Sequence, residues 1–345
     1  MATRRFVNDL ETCRQLWNTL LPVNVVSDMW EFRMCFHRQY DHRPCFMILE
    51  DAEGVSGMMP LSYVDNSNKI GFFPGEIWQE KTWLERTPFY VRERGGIDEL
   101  FYSCPEGTYL RYMEPLQEPY SHLLELDEIG YVLYPSQLDF KLEAYSGRFS
   151  HKKYKSIIKV IGSIKEQGSR FYVNRLEDFD ALVRMSIESF GENSYLNDHR
   201  FRNSWLDVIH FLHKNGWLRM ISLEIMGKTA AVDIGSVYNG VYTVYLGGAS
   251  RDLPGVAKVM NMYHIEYAFI NRLFKMDFLC GDFHWKKLFH LTPEPLYKFV
   301  SPAPVEEYAG KTEKWDDSYP SINETTIEDP SPMDMKDTPN FNYLL

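Results

Sequence analysis

The clearest pattern of hydrophobic positions lies in the second half of the chain. Residues 217–225, 229–237 and 241–246 form three apolar runs, each about as long as a β-strand. Short turns separate the runs, and the second turn contains Asn239-Gly240, a pair that favours a type I′ hairpin. This spacing predicts an antiparallel meander of three strands.

A helix is predicted directly after this meander. A glycine-rich loop at residues 247–255 comes first, and apolar residues then recur at helical spacing from Val256 to Phe274. Residues 276–280 form a further short apolar run, which is typical of a buried strand. The predicted unit is therefore strand, glycine-rich loop, helix and strand.

The first half of the chain contains a weaker copy of the meander. Residues 45–51, 55–64 and 69–74 are apolar runs separated by short polar turns. Between the two halves, residues 145–168 have helical spacing and a strongly basic face. The pattern thus indicates two similar halves that are joined by a basic helix.

From this pattern we predict an α+β protein with two tandem domains, each a mixed, mostly antiparallel sheet flanked by helices. The boundaries are predicted at residues 1–144 and 145–301. Residues 302–345 are acidic and rich in Pro, Ser and Thr, so we expect a flexible tail.

Charge and cysteine content restrict the function classes. The 345 residues carry 37 Lys or Arg and 48 Asp or Glu, a formal net charge of −11, which argues against sequence-independent nucleic-acid binding. Five scattered cysteines without a CxxC pair suit a reducing cytosol and offer no metal template. The chain shows no secretory signal and no long apolar run, so we expect a cytoplasmic protein without a membrane span.

The glycine-rich loop is the best candidate for ligand binding. Glycine lets the backbone approach a ligand closely, and a helix N-terminus presents unpaired N–H groups to a phosphate. Within the string R-x-x-x-G-x-A, Arg251 either adds a charge-assisted contact to such a ligand or is a solvated loop residue. The sequence therefore predicts a loop that can hold a pyrophosphate.

Residues 277–289 (DFLCGDFHWKKLF) resemble the D-F-x-x-G-D-x-x-[YW]-K-x-x-F signature of the CelD/BcsL-type acetyltransferases. This bacterial branch of the GNAT superfamily is related to the FemABX aminoacyl transferases. Residues 57–61 and 295–299 are also similar to family segments, and the resemblance extends over about residues 40–300. It implies two GNAT-like domains in tandem, of which the first is degenerate. The loop differs from the family pattern in one respect. It has an extra residue between Arg251 and Gly255, and it contains Pro254, which lacks an N–H.

The resemblance implies acyl transfer from a CoA thioester, such as acetyl-CoA, to an amine. Asp282 would act as a base or bind the acceptor, and Lys286, the family's recurring lysine, would stabilise the oxyanion or bind a phosphate. Alternatively, these two residues form only a helix-capping pair. The further residues assigned to the donor are Tyr245, Leu246, Gly247, Arg251, Gly255, Val256 and Ala257, and those assigned to the acceptor are Lys152, Lys155 and Trp285.

Two other functions stay open at this point. One is FemABX-like aminoacyl transfer from charged tRNA, which the basic helix suits but the net charge disfavours. The other is a tandem GNAT protein without catalysis that serves as a binding module. For the leading function, the acceptor is an amine of a sugar, an amino acid or a peptide-like molecule, bound between the two domains. The lysines at residues 152–159 line a groove for an anionic substrate, contact an acidic partner surface or are simply an exposed helix face.

Overall fold

The computed structural model describes residues 2–64, 69–75 and 84–301, and the predicted tail at 302–345 lies outside the described residues. The helices are α1 (Leu10–Leu20), α2 (Trp30–Tyr40), α3 (Ile97–Tyr102), α4 (Leu142–Ser146), α5 (His151–Glu166), α6 (Phe179–Phe190), α7 (His199–Lys214), α8 (Val256–Ile270) and α9 (His284–Leu288). The strands are β1 (Thr3–Val7), β2 (Arg43–Pro44), β3 (Phe46–Asp51), β4 (Gly54–Met59), β5 (Leu61–Val64), β6 (Lys69–Phe72), β7 (Tyr90–Val91), β8 (Tyr109–Met113), β9 (Glu125–Leu133), β10 (Arg170–Val173), β11 (Leu218–Ile225), β12 (Lys228–Tyr238), β13 (Val241–Ala249), β14 (Lys275–Cys280) and β15 (Thr292–Val300).

A sheet of eight strands in the order β10-β11-β12-β13-β14-β9-β15-β8 is the largest part of the described fold. Its neighbouring strands are antiparallel, except that β13 and β14 run parallel. Two smaller sheets, β1-β3-β4-β7 and β2-β5-β6, are built from the first part of the chain. The predicted α+β class is confirmed.

The meander of the second half forms as predicted. Asn239 and Gly240 have φ values of 47° and 72°, the left-handed pair that a type I′ turn requires. The glycine-rich loop is shorter than predicted, however, because β13 continues through Gly247 and Gly248 to Ala249. These three residues pair with residues 231–233 of β12, so the loop itself begins at Ser250.

The second apolar run of the first half is not one strand. It divides at Pro60 into β4, which pairs with β3 and β7, and β5, which pairs with β2 and β6. Proline has no N–H to donate to a neighbouring strand, and here it marks the point where the chain passes from one sheet to the next. The basic helix likewise divides into α4 and α5, and Ser150 caps α5 by accepting a hydrogen bond from the Lys153 N–H.

The large sheet is covered on both faces. Helix α8 lies against one face and is itself covered by α5, whose Ile157, Ile161 and Ile164 are buried in the same core. Helices α6 and α7 cover the other face, and α2 packs against α7, with Phe36 and Trp205 5.8 Å apart in an edge contact. Helix α8 is therefore buried on nearly all sides.

The sheet crosses the predicted domain boundary at 144/145. Strands β8 and β9, which precede it, are hydrogen-bonded to β14 and β15, which follow it, and β15 lies between β8 and β9. The division into domains 1–144 and 145–301 therefore stays a prediction. Within the described ranges, no helix has both the length and the apolar composition that crossing a bilayer requires.

Candidate active site

Strands β13 and β14 separate in the middle of the large sheet. Their parallel pairing covers only Val241–Thr243 and Lys275–Asp277. Beyond this point β13 stays paired with β12, whereas β14 turns towards β9, where Cys280 faces Gly130. Among the residues that the structure describes, no strand therefore lies beside the edge of β13 after Thr243 on the β14 side.

A β-bulge lies at this edge. Ile234 pairs with Leu246 and Gly235 with Val244, so Tyr245 has no partner in the register with β12. The side chain of Tyr245 is buried between Phe32 and Trp205, and its hydroxyl lies 2.9 Å from Ser236 Oγ. Leu246 is also buried. Tyr245 and Leu246 were both predicted to bind the acyl donor. In each, the backbone rather than the side chain faces the gap between β13 and β14.

The loop after β13 ends at the start of α8. Gly255 is the N-cap with φ of 94°, and no side chain from the described part of the chain caps the helix. The first N–H groups of a helix have no partner within it, and here Val256 is buried while Ala257 is exposed. Gly255 lies against α5, since a Cβ atom there would be 2.5 Å from Val160 Cγ1. The predicted loop thus presents an uncapped helix start beside the opened strand edge.

Two of the predicted donor residues are engaged elsewhere. The Arg251 guanidinium donates a hydrogen bond to the carbonyl of Ser189 near the end of α6. Gly247 makes room for Asp233, because a Cβ at position 247 would collide with Asp233 Oδ1. In this conformation Arg251 stabilises the end of α6. The absence of a side chain at Gly247 leaves space for the Asp233 carboxylate next to β13.

Asp233 belongs to a buried chain of hydrogen bonds that the sequence did not reveal. His264 Nε2 lies 2.8 Å from Asp233 Oδ2, and His264 Nδ1 lies 2.7 Å from the Tyr242 hydroxyl. His264 and Tyr242 are fully buried. No local spacing indicates this group, because its members come from β12, β13 and α8.

Lys286 lies beneath the turn that ends β14. Leu279 and Gly281 have φ values of 57° and 100°, and the Lys286 ammonium donates to the carbonyls of Phe278, Leu279 and Cys280 at 2.9, 2.9 and 2.8 Å. Burial lowers the pKa of Lys286. All three ammonium hydrogens are engaged, so in this conformation none is left for an oxyanion or a phosphate.

Asp282 pairs with a different lysine from the one expected. Its Oδ2 accepts from Lys287 Nζ at 2.8 Å and its Oδ1 from the Tyr131 hydroxyl, so the predicted pair with Lys286 does not form. The hydrogen bonds from Lys287 and then Tyr131 lower the pKa of Asp282. The carboxylate is half-exposed and is a weak base with a free outer face.

The predicted acceptor residues are spread over the α5 side of the sheet. Lys152 and Lys155 are exposed on α5, whereas the neighbouring Lys153 donates to the Leu288 carbonyl of α9 at 2.7 Å. Trp285 packs against Phe278 and Phe289 in edge contacts of 5.4 and 6.1 Å. Trp285 therefore supports α9, and the roles of all three residues in binding stay predictions.

Glu85 is a buried carboxylate at the end of β14 that the sequence did not indicate. Its Oε1 accepts from the Cys280 N–H at 2.7 Å, and the residue is only 8% exposed. Burial raises its pKa, against the opposing effect of Arg86. The Arg86 guanidinium joins Glu85 to Asp277 and Glu294 at 3.4, 2.9 and 3.1 Å. Because 195 residues separate Glu85 from Cys280, only the fold brings them together.

Comparison with known proteins agrees with this geometry. Residues 152–287 match the family model described as an acetyltransferase (GNAT) domain. The L-PGS structure from Bacillus licheniformis aligns with a TM-score of 0.52 and 11% identity, over 87% of this chain and 94% of its own. No curated protein matches the chain.

Two further solved structures align at a TM-score of 0.49. They are FemX (7% identity, 86% of this chain and 97% of its own) and a tandem GNAT protein from the clavulanic acid biosynthesis pathway (11%, 88% and 100%). The predicted fold and the predicted GNAT acyltransferase class are confirmed. At these identities, the likeness to solved structures concerns the fold alone.

Proposed function

We propose that this enzyme transfers an acyl group from acetyl-CoA or another acyl-CoA to an amine, because residues 152–287 match the acetyltransferase (GNAT) domain family. The acceptor is a small or peptide-like molecule. The observation that carries the proposal is the bulged, unpaired edge of β13 beside the uncapped start of α8. A thioester needs a donor for its carbonyl oxygen and a cradle for its pyrophosphate, and these two elements can supply both.

The donor would lie along β13. Backbone N–H groups at Gly255 and Ala257 would hold the pyrophosphate, and the backbone at Tyr245 and Leu246 would receive the thioester carbonyl. Pro254 contributes no N–H, so the cradle depends on the first turn of α8. Arg251 would join the phosphates only after leaving the Ser189 carbonyl.

Glu85 is the base in this proposal. It accepts the proton that the neutral acceptor amine loses as its nitrogen bonds to the thioester carbonyl carbon. The oxyanion that forms is held by backbone N–H groups, and its collapse breaks the C–S bond. The departing CoA thiolate then takes up the proton that Glu85 accepted, which restores the carboxylate. A carboxylate whose pKa is raised by burial accepts protons more readily near neutral pH than the exposed, ion-paired Asp282.

The other predicted residues have supporting positions. Lys286 would keep β14 turned away from β13, because it holds the three carbonyls at the bend, and Asp282 would contact the acceptor through its free outer face. On the signature at residues 277–289 we propose that the enzyme belongs to the CelD/BcsL-type branch, and on its five scattered cysteines we propose a reducing, cytoplasmic compartment. Aminoacyl transfer from tRNA and a purely binding role are the alternatives that the following experiments address.

Donor binding is tested by Ala257→Asp with Ala257→Asn as its control. Ala257 is exposed in the first turn of α8, where a carboxylate is compatible with the helix but repels a phosphate. We expect saturable binding of acetyl-CoA, longer acyl-CoAs and CoA in calorimetry, weakened about tenfold or more by the aspartate and within about threefold by the asparagine. A folded chain that binds no CoA species would rule out this donor.

Catalysis is tested by Glu85→Gln. The amide keeps the shape of the side chain but cannot accept the amine proton, so turnover should fall by about 10²-fold or more in an amine-acceptor screen, while acetyl-CoA binding is unchanged. Asp282→Asn is the comparison, with a loss confined to the acceptor KM. If Glu85→Gln retains full turnover with correct folding, another group is the base.

A further inference from the structure

A cleft opens on the α5 side of the sheet, next to Asp282. It has a volume of about 710 Å³ and is lined by Tyr131, Arg148, Lys287, His290 and residues 291–293. This volume is within the range of sites for small organic ligands. The cleft lies where the α4–α5 connection meets α9 and the start of β15. None of the residues predicted from sequence to bind a ligand lines it.

The charged groups around this cleft are mostly positive. Arg148 is exposed and has no ion pair or side-chain hydrogen bond within the described residues. Lys287 is half-exposed and shares its charge with Asp282, while Lys153 lies nearby on the Leu288 carbonyl. The three cations and one carboxylate leave a net charge of +2, which matches a phosphate dianion.

His290 adds a hydrogen-bonding group without a protein partner. Its Nε2 atom is buried and has no hydrogen bond within the described ranges. The ring is held edge-on against Phe149 at 4.6 Å, and its backbone is in the left-handed region with φ of 54°. Burial, and then the cations Lys153 and Arg148, lower the pKa of His290. An anion in the cleft would offset this repulsion and accept a hydrogen bond from Nε2.

The cleft is separate from the pyrophosphate loop. Val160 of α5 touches the loop at Gly255, and His151 begins the helix near the cleft. Nine residues of helical rise place these two ends about 13 Å apart. The cations at the cleft therefore do not belong to the start of α8.

We propose that this cleft binds the phosphate group of a small organic molecule, through Arg148, Lys287 and His290. The site itself is independent of the proposed function, but its use in acyl transfer rests on that function. The phosphate belongs either to the acceptor or to the distant end of the donor. In both cases the chemistry of recognition is the same, a dianion held by a guanidinium, an ammonium and an imidazole.

Calorimetric titration of the full chain with inorganic pyrophosphate tests the site, and each titration is repeated with Ala257→Asp, which weakens any binding of the probe at the start of α8. Arg148→Gln and Lys287→Gln should each weaken binding about tenfold, because each removes one charge-assisted contact. Two exposed lysines away from the cleft, Lys214 at the end of α7 and Lys228 at the start of β12, are the controls. Lys214→Gln and Lys228→Gln should change the Kd by less than about twofold. Absence of saturable binding, or equal losses in all four variants, would overturn the proposal.

The pH titration of the His290 imidazole provides an independent test of the site. In the chain labelled with ¹³C-histidine, the His290 resonance, assigned by its loss in His290→Gln, should titrate about one pH unit higher with saturating pyrophosphate. In Arg148→Gln the same shift should need about tenfold more pyrophosphate. A His290 titration that pyrophosphate leaves unchanged would contradict the assignment of this residue.

Saturating CoA distinguishes the two sources of phosphate. Pyrophosphate binding that persists with CoA present assigns the cleft to the acceptor, and displacement by CoA that Arg148→Gln abolishes assigns it to the donor. Failure of the proposed function is recognised separately, because it would remove the acyl-CoA binding that Ala257→Asp tests and leave pyrophosphate binding at the cleft intact.

Discussion

Lys286 and Lys287 are adjacent in the chain but have opposite surroundings. Lys286 is 2% exposed and holds three backbone carbonyls, whereas the side chain of Lys287 is 57% exposed and pairs with Asp282. A buried ammonium that satisfies several acceptors is costly to remove, since each carbonyl is left without a partner. An exposed ion pair contributes little. Lys286 should therefore contribute much more to the stability of the fold than Lys287.

Replacing each lysine by methionine separates these roles. Lys286→Met should lower the free energy of unfolding by about 3 kcal/mol, because the carbonyls at the bend of β14 lose their donor. Lys287→Met should change it by less than about 0.5 kcal/mol. Urea unfolding of the two variants measures both values. Equal stability of the two variants would show that the three hydrogen bonds do not hold the bend.

Glu266 of α8 makes stability depend on pH. It is 1% exposed, neither carboxylate oxygen has a hydrogen-bond partner within the described residues, and burial raises its pKa to about 7. The folded state therefore holds this proton at pH values where the unfolded state has released it. The stabilising contribution of the neutral form is complete below about pH 4.5 and is lost as pH rises through 7.

Glu266→Gln tests this behaviour. The amide stays neutral at every pH, so the variant should match the natural chain at pH 5 and exceed its stability by about 2–3 kcal/mol at pH 8.5. Urea midpoints at pH 5, 7 and 8.5 give the comparison. A difference that does not change with pH would mean that Glu266 ionises with an ordinary pKa in the folded chain.

At the scale of elements, the bulged strand β13, the loop and α8 depend on close contacts of glycine. Gly248 faces Leu182 of α6, where a Cβ would be 2.7 Å from Leu182 Cδ1. Gly255 combines φ of 94° with the contact to Val160. Neither Gly248, which faces α6, nor Gly255, which faces α5, therefore has room for a side chain. These contacts fix the position of the start of α8.

A double-mutant cycle separates strain from collision at Gly255. Gly255→Ala should cost about 2–4 kcal/mol, of which about 1–2 comes from the left-handed backbone. Adding Val160→Ala removes the collision, so the double variant should be more stable than the sum of the two single changes predicts. Thermal unfolding of the four proteins measures the coupling. Strict additivity would show that α5 does not press on the loop.

At the scale of the whole molecule, the two halves share one sheet and one buried ion network. Strand β9 from the first half lies between β14 and β15 of the second. Arg86, also from the first half, bridges Asp277 and Glu294 while it is 13% exposed. Neither half can satisfy these strand edges and charges by itself.

The shared sheet predicts that residues 145–345 do not fold alone. Without β9, two strand edges and the carboxylates of Asp277 and Glu294 lose their partners. We expect no cooperative thermal transition by circular dichroism for this fragment, whereas the whole chain unfolds cooperatively. A cooperative transition in the fragment would support the predicted boundary at 144/145 as the edge of an independent domain.

The sequence alone determined the elements whose causes are local. The Asn239-Gly240 hairpin, the apolar stripe of α8 and the meander of β11 to β13 follow from turn chemistry and side-chain periodicity, which act within a few residues. The signature at residues 277–289 indicated a GNAT acyltransferase for the same reason, since its residues are contiguous.

Only the tertiary structure decided which of these residues meet. Contacts between distant segments determine the division of the chain at Pro60 and the insertion of β15 between β8 and β9. They also determine the partner of each lysine in α9 and the hydrogen bond between Glu85 and Cys280. Such contacts are selected by strand register and by the burial of charge, which a local pattern does not contain. In the proposed site, Glu85 comes from the first half of the chain and β13 and α8 come from the second, so the site forms only when the sheet is complete.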